Sequence, residues 1–122
     1  MKLLVCGSRT IKNFDYVANC LELVIREHGV PEEIVEGEAQ GVDKMSRIWA
    51  EMKGIPVTPM PADWKMYGRG AGLIRNAEMV VYCDNGVAIW DGVSTGTLHT
   101  ITLLKEQNKL LKVFKNVINR LE

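Results

Sequence analysis

The stretch Lys2-Leu3-Leu4-Val5-Cys6-Gly7-Ser8-Arg9 is an apolar run broken off by a glycine and two polar residues. An apolar run without polar alternation suits a strand buried on both faces, the situation of a central strand in a parallel sheet. The arrangement returns further along the chain. Gly37-Glu38-Ala39-Gln40-Gly41-Val42-Asp43, Pro61-Ala62-Asp63-Trp64 and Ser94-Thr95-Gly96-Thr97 each follow an apolar run that reads as a strand. The strands of an open parallel sheet end on one edge, and ligands bind in the crevice outside it. Motifs distant in sequence are therefore expected to meet in one site.

The intervening segments read as helices. Asn13 is a candidate N-cap before the stripe Val17, Leu21, Val24, Ile25 and His28, and Gly29 is a stop signal. Glu33 to Glu36 reads as a second strand. Gly41 opens a helix with Val42, Met45, Trp49 and Met52 on one face, ending at Gly54. Ile55 to Met60 holds a third strand, marked as an edge by Pro56 and Pro59, because proline cannot donate to the ladder. Trp64 to Gly72 reads as a polar, Gly-rich loop. A helix over Ala71 to Val81, a strand over Gly86 to Trp90, a helix over Thr97 to Gln107 and a strand over Leu110 to Phe114 follow. Val117, Ile118 and Leu121 suggest a short tail helix, although Leu110 to Leu121 also reads as one helix. Strict alternation predicts an α/β three-layer sandwich: a mainly parallel five-stranded sheet with helices on both faces and right-handed crossovers.

Composition narrows the function classes. At 122 residues, one domain spanning 1–122 is expected. Lys plus Arg and Asp plus Glu are both 15, so no net basic field draws the chain to nucleic acid or to an anionic membrane. No direct nucleic-acid binding and no membrane association are therefore expected. Cys6, Cys20 and Cys83 are odd in number and widely spaced, which suits buried thiols in a reducing cytoplasm better than a disulfide framework. His28 and His99 fall on different elements without a Cys or His partner at ligand spacing, so neither a metal site nor a cofactor is expected. Cys6 lies close to the strand-end motif but has no evident base beside it, and reads as core.

The strand ends carry the chemistry. Gly7 permits a sharp turn or a close approach, Ser8 offers a hydroxyl, and Arg9 a planar fork suited to phosphate or carboxylate. Gly37 and Gly41 frame a strand-to-helix junction whose free N–H groups and helix dipole favour an anion. The spacing is neither that of a Walker loop nor that of the dinucleotide fingerprint. Asp43 has two readings, a bond to a ribose hydroxyl or electrostatic support for the first helical turn. Asp63 beside Trp64 can bond and stack on a base or sugar, or can bond its own turn while the indole packs on the sheet edge. Arg69, Arg75 and Asn76 add cationic and amide groups. Asp91, Ser94, Thr95, Gly96 and Thr97 form another phosphate-cradling helix start, which helix capping explains in part.

Gly7-Ser8-Arg9, Gly37-x3-Gly41-x-Asp43, Pro61-Ala62-Asp63-Trp64, Ala71-Gly72-x2-Arg75-Asn76-x2-Met79 and Ser94-x-Gly96-Thr97 together resemble the SLOG superfamily, over roughly residues 3–114. The resemblance is to its small stand-alone branch related to YspA and YpsA, more distantly to the phosphoribohydrolases of the LOG type and to the DprA/SMF Rossmann-like domain. It implies a Rossmann-like fold that binds a nucleotide or nucleotide-derived molecule, such as an ADP-ribose-like or cyclic nucleotide signal, usually in oligomers. The LOG enzymes carry Arg-Lys-x2-Met and Pro-Gly-Gly-x-Gly-Thr-x2-Glu. This chain keeps Arg75, Gly96 and Thr97, and has Thr100 where that glutamate falls.

N-glycosidic hydrolysis benefits from a carboxylate that stabilises oxocarbenium charge or activates water. Without the matching glutamate, Asp63, Asp91 or Glu78 must substitute, and Arg75 with Asp63 are the catalytic candidates. Binding as a sensor or sequestering protein, including in a phage–bacteria conflict, is the first expectation. Hydrolysis comes second, and a structural or interaction role third. Apolar Leu73, Ile74 and Val80-Val81-Tyr82 exceed one narrow stripe on their helix, which leads to the expectation of a homodimer or tetramer.

Overall fold

A computed structural model describes residues 1–116. The tail helix expected at Val117, Ile118 and Leu121 lies outside the described residues. Strands β1 (Lys2–Gly7), β2 (Glu33–Glu36), β3 (Val57–Pro59), β4 (Asn85–Trp90) and β5 (Leu110–Lys115) form one sheet in the order β3-β2-β1-β4-β5. Every pairing is parallel, with Leu4 opposite Val35 on one side and Gly86 on the other. The chain starts in the middle, winds to the β3 edge, then crosses back to lay β4 on the other side of β1. That reversal opens a crevice between the carboxyl ends of β1 and β4.

The period of two along β1 sorts its side chains between the helical layers. Leu3 and Val5 pack with Ile34, Val87 and Ile89 under α1 (Phe14–His28) and α2 (Val42–Lys53), with Val17, Leu21, Val24, Val42 and Trp49 completing that core. Leu4 packs with Val35, Met79, Val80 and Leu104 on the opposite face, beneath α4 (Ala71–Tyr82) and α5 (Thr95–Glu106). Cys6, Ala88 and Ile101 extend this second layer toward the carboxyl ends of the strands. The continuous apolar run is thus explained, because both faces of β1 are covered.

Helix ends follow the sequence signals. Asn13 Oδ1 accepts from the Tyr16 N–H at 3.1 Å, and Gly54, at φ 72°, ends α2 with its N–H on the Ala50 and Glu51 carbonyls. The segment expected as a loop from Trp64 to Gly72 instead holds α3 (Trp64–Tyr67) and a single 3-10 turn at Gly68–Gly70. The Asp63 carboxylate nucleates α3 by accepting from the Met66 N–H at 3.1 Å. Helix α5 begins at Thr95, ahead of the expected Thr97, because a loop closed by Asp91 brings Ser94 to the N-cap. Val80 is buried in the second core, whereas Leu73 and Val81 stand 54% and 79% exposed. Among the described residues no helix is long and apolar enough to cross a membrane.

Candidate functional site

The crevice between β1 and β4 deepens into a cavity of about 330 Å³. Gly7, Ser8, Arg9 and Thr10 line it from the β1–α1 loop, Ala39 and Asp43 from the β2–α2 junction. Arg75, Asn76 and Met79 come from α4, and Ser94, Thr95, Gly96, Thr97 and Thr100 from the start of α5. Residues from three strand ends and α4 therefore converge, as the parallel sheet requires.

Hydrogen bonds within the protein fix this edge. Ser8 is buried, its Oγ accepts from the Asp91 N–H at 2.9 Å, and its own N–H donates to the Ile89 carbonyl at 3.1 Å. The Ser8 carbonyl receives the N–H groups of Ile11 and Val42, both at 3.4 Å, so this one residue joins β1, β4 and α2. Gly41 makes the junction close. It sits at φ 78°, and a Cβ there would fall 2.6 Å from the Ser8 carbonyl oxygen and 2.7 Å from Arg9 Cα.

Asp91 is a structural hub and does not line the cavity. Its Oδ1 accepts the N–H groups of Val93 and Ser94 at 2.9 and 2.8 Å, and its Oδ2 accepts the hydroxyls of Thr10 and Ser94 at 2.7 and 2.9 Å. Burial opposes its charge, but these bonds outweigh burial and hold the carboxyl well below the usual carboxylate range. Because the Ser94 hydroxyl is turned to Asp91, no side chain caps α5. The first N–H groups of that twelve-residue helix thus have no side-chain cap, and Thr95, Gly96 and Thr97 of the same turn line the cavity.

Arg75 reaches across the opening. Its Nη1 donates to the Gly37 carbonyl and its Nε to Asn76 Oδ1 at 3.0 Å. Gly37 leaves room for this contact, since a Cβ would lie 2.8 Å from the guanidinium carbon and would push the Arg75 side chain aside. Asn76 is buried, its Nδ2 donates to the Gly96 carbonyl at 3.4 Å and lies 3.3 Å from His99 Nδ1. A guanidinium is thus poised at the cavity with its fork partly committed to holding the β2–α2 loop.

Asp43 is the carboxylate that lines the cavity. Its Oδ2 accepts the N–H groups of Gly37 and Ala39, each at 3.2 Å. Burial pushes its pKa from 3.8 to about 7, with the nearby Glu36 carboxylate adding to the rise, against the lowering effect of those N–H groups and of Arg75. Cys6 also lines the cavity, but burial above all, then Asp43 and Cys83, push its thiol far up, so it stays protonated and donates to the Val87 carbonyl.

Several candidates lie elsewhere. Asp63, Trp64 and Arg69 do not line the cavity: Asp63 caps α3, and Trp64 is 55% exposed beside Gly72. The catalytic pairing of Arg75 with Asp63 therefore has no geometric basis, because α3 turns the Asp63 carboxylate into its own backbone. Glu78 is exposed on α4 and also outside the cavity. Thr100, in the place of the LOG glutamate, is buried and donates to the Gly96 carbonyl at 3.2 Å. Sequence reasoning missed Thr10, Ala39 and the buried Glu36, whose Oε2 faces Arg47 Nε at 3.6 Å and whose acidity burial lowers. The apolar Ile34-Val35 ahead of Glu36 was the available signal that this carboxylate lies inside.

The sequence profile of the YspA, cpYpsA-related SLOG family matches residues 1–67. The Gene 61 protein of Mycobacterium phage D29 is 37% identical over 106 residues, which cover 80% of this chain and 83% of that protein. Among solved structures, DNA processing protein A (DprA) of Streptococcus pneumoniae superposes with a TM-score of 0.69 at 18% identity, covering 97% of this chain and 52% of that one. DNA processing protein A of Helicobacter pylori gives 0.67, also at 18% identity, covering 98% of this chain and 67% of that one. This chain thus spans about half the length of the pneumococcal protein. The H. pylori structure was described for its single-stranded DNA binding mode. That finding overturns the expectation of no nucleic-acid binding, which rested on a net charge of zero. Net charge sums the whole surface and does not describe a local edge.

Proposed function

Because the chain belongs to the YspA, cpYpsA-related SLOG family, we propose that it binds a phosphate-bearing, nucleotide-derived molecule in the edge cavity and holds it without turnover, as a sensor or sequestering protein. The observation that carries this reading is the uncapped start of α5 meeting the Arg75 guanidinium across one cavity. Backbone N–H groups at a helix start and a guanidinium fork are the donors that a phosphate recruits. Ser8, Thr95 and Thr97 supply hydroxyls around them, and Asn76 holds Arg75 in place. With its carboxyl raised to about 7, Asp43 carries only part of a negative charge at neutral pH and opposes an anion less than an ordinary aspartate would.

Turnover is disfavoured by the same geometry. Hydrolysis of an N-glycosidic bond needs a free carboxylate at the reacting carbon. Asp91 has both oxygens saturated and Asp63 and Glu78 lie outside, which leaves Asp43, whose Oδ2 is committed to the β2–α2 loop, as the carboxylate within the cavity. A second reading, that the phosphate belongs to a single-stranded nucleic acid, is favoured by the H. pylori protein of the same fold.

A thermal-shift screen against mononucleotides, ADP-ribose, cyclic dinucleotides and oligothymidylate, with mass spectrometry of each hit after incubation, tests both readings. A ligand at about 100 times its Kd stabilises by about 2.7 kcal/mol, a shift of several degrees. A hit recovered intact supports holding without turnover. Recovery of free base and sugar phosphate overturns it, and a shift with oligothymidylate alone favours the second reading.

A further inference from the structure

A second groove of about 390 Å³ adjoins the edge cavity, lined by Arg9, Lys12, Gln40, Gly41, Lys44, Met45 and Ile48. Three of these side chains are cations and none is an acid. Among the described residues, Arg9, Lys12 and Lys44 enter no ion pair within 4.0 Å, and all three are exposed. Three unneutralised cations around one concavity attract an anion with focused field, whatever the total charge of the molecule. Arg9 also lines the edge cavity, so it stands on the saddle between the two. Gly41 lets the two loops touch at that saddle, fixing the grooves side by side. The floor of the second groove is different in kind: Met45 is half-buried and Ile48 is 41% exposed, and together they form an apolar surface against which a base can lie.

We propose that the Arg9, Lys12 and Lys44 groove is a second anion subsite for the same ligand, so that the protein takes two nucleotides joined by a phosphodiester rather than a single nucleotide. This rests on the reading of the edge cavity as a phosphate site, and it adds the class of ligand. One nucleotide places its phosphate at the start of α5. The next runs over Arg9 and sets its phosphate between Lys12 and Lys44, with its base on Met45 and Ile48. A free dinucleotide and a stretch of single-stranded nucleic acid share this chemistry.

Fluorescence or calorimetric titration with 5′-phosphorylated thymidine, its 5′-phosphorylated dinucleotide and longer oligothymidylates tests the assignment, on the native protein and on the Lys12→Ala, Lys44→Ala double variant. The dinucleotide is expected to bind about tenfold tighter than the mononucleotide. The double variant is expected to erase that advantage, leave mononucleotide affinity and thermal stability unchanged, and reduce the dependence of log K on log salt by about 0.7 for each phosphate that is no longer neutralised. Equal affinity for both ligands on the native protein overturns this inference while leaving the edge cavity intact as a site. An equal loss of both ligands in the double variant overturns it as well, and so does binding of neither ligand, whereas the reading of the edge cavity falls only if ADP-ribose and the cyclic dinucleotides fail too. A gain complete at two nucleotides assigns a free dinucleotide, and one that keeps rising with length assigns a strand.

Discussion

Asp43 concentrates the consequences that belong to single residues. In the unfolded chain its carboxyl ionises near 3.8, and in the folded protein near 7. Between those values the native state keeps a proton that the unfolded chain has released, so stability is full below about pH 4, declines as pH rises to about 7, and then levels off. Glu36, raised by burial in the same way, adds to the same slope. Asn in place of Asp43 keeps an oxygen for the Gly37 and Ala39 N–H groups and has no charge to bury. Asp43→Asn is expected to stabilise the protein by about 2–4 kcal/mol at pH 8 and to leave it nearly unchanged at pH 4. Thermal melts at both pH values check this, and equal shifts at the two would contradict it. Arg75 offers a complementary test. Arg75→Lys keeps a positive charge but loses the fork that holds Gly37 and Asn76 together, so ligand affinity is expected to fall by about 2 kcal/mol or more, measured by titration at constant salt.

Contacts between elements explain which expectations succeeded. Trp49 is 2% exposed, and its Nε1 donates to Glu22 Oε2 at 3.0 Å, tying α2 to α1. Trp49→Ala is expected to cost about 3–5 kcal/mol in a denaturant melt. Lys109, just ahead of β5, donates to the Val80 and Cys83 carbonyls at 2.7 and 2.8 Å, where the end of α4 leaves acceptors unmet. Lys109→Met is expected to cost about 1 kcal/mol, read in the same melt. The helix stripes, the strand runs and the Gly stops were legible because each is a local pattern that the period of its element writes into the chain. The α3 turn was not legible, since three glycines close behind Trp64 masked the Asp63 cap that nucleates it. At the site, Gly7 to Arg9 and Ser94 to Thr97 could be placed together from the expectation of a parallel sheet alone. The exclusion of Asp63 and the saturation of Asp91 could not, because both depend on which way a loop turns a carboxylate. The proton on Asp43 depends on what covers it, information held by other elements.

The strand order ties the whole molecule to its site. The crevice exists because β4 joins the sheet on the side of β1 away from β2, and every group around the cavity inherits its place from that crossover. The sheet core is also divided by β1, with Leu3 and Val5 serving one helical layer, Leu4 and Cys6 the other. The opening strand of the chain therefore stays half-paired until β4 is made. Its register with β2 can be set early, but its other side waits for Leu3 to Gly7 to meet Asn85 to Ile89, some eighty residues downstream. A polypeptide released after β3 has an apolar strand with one bare rail of backbone donors and acceptors, a template for joining its own copies edge to edge. Such a piece, cut at residue 60, is expected to give no cooperative melt by circular dichroism and to aggregate, whereas the chain through β5 melts in one transition. During synthesis the protein is exposed for as long as β4 remains inside the ribosome, so the feature that builds the crevice also sets the interval in which the nascent chain is most in need of a chaperone.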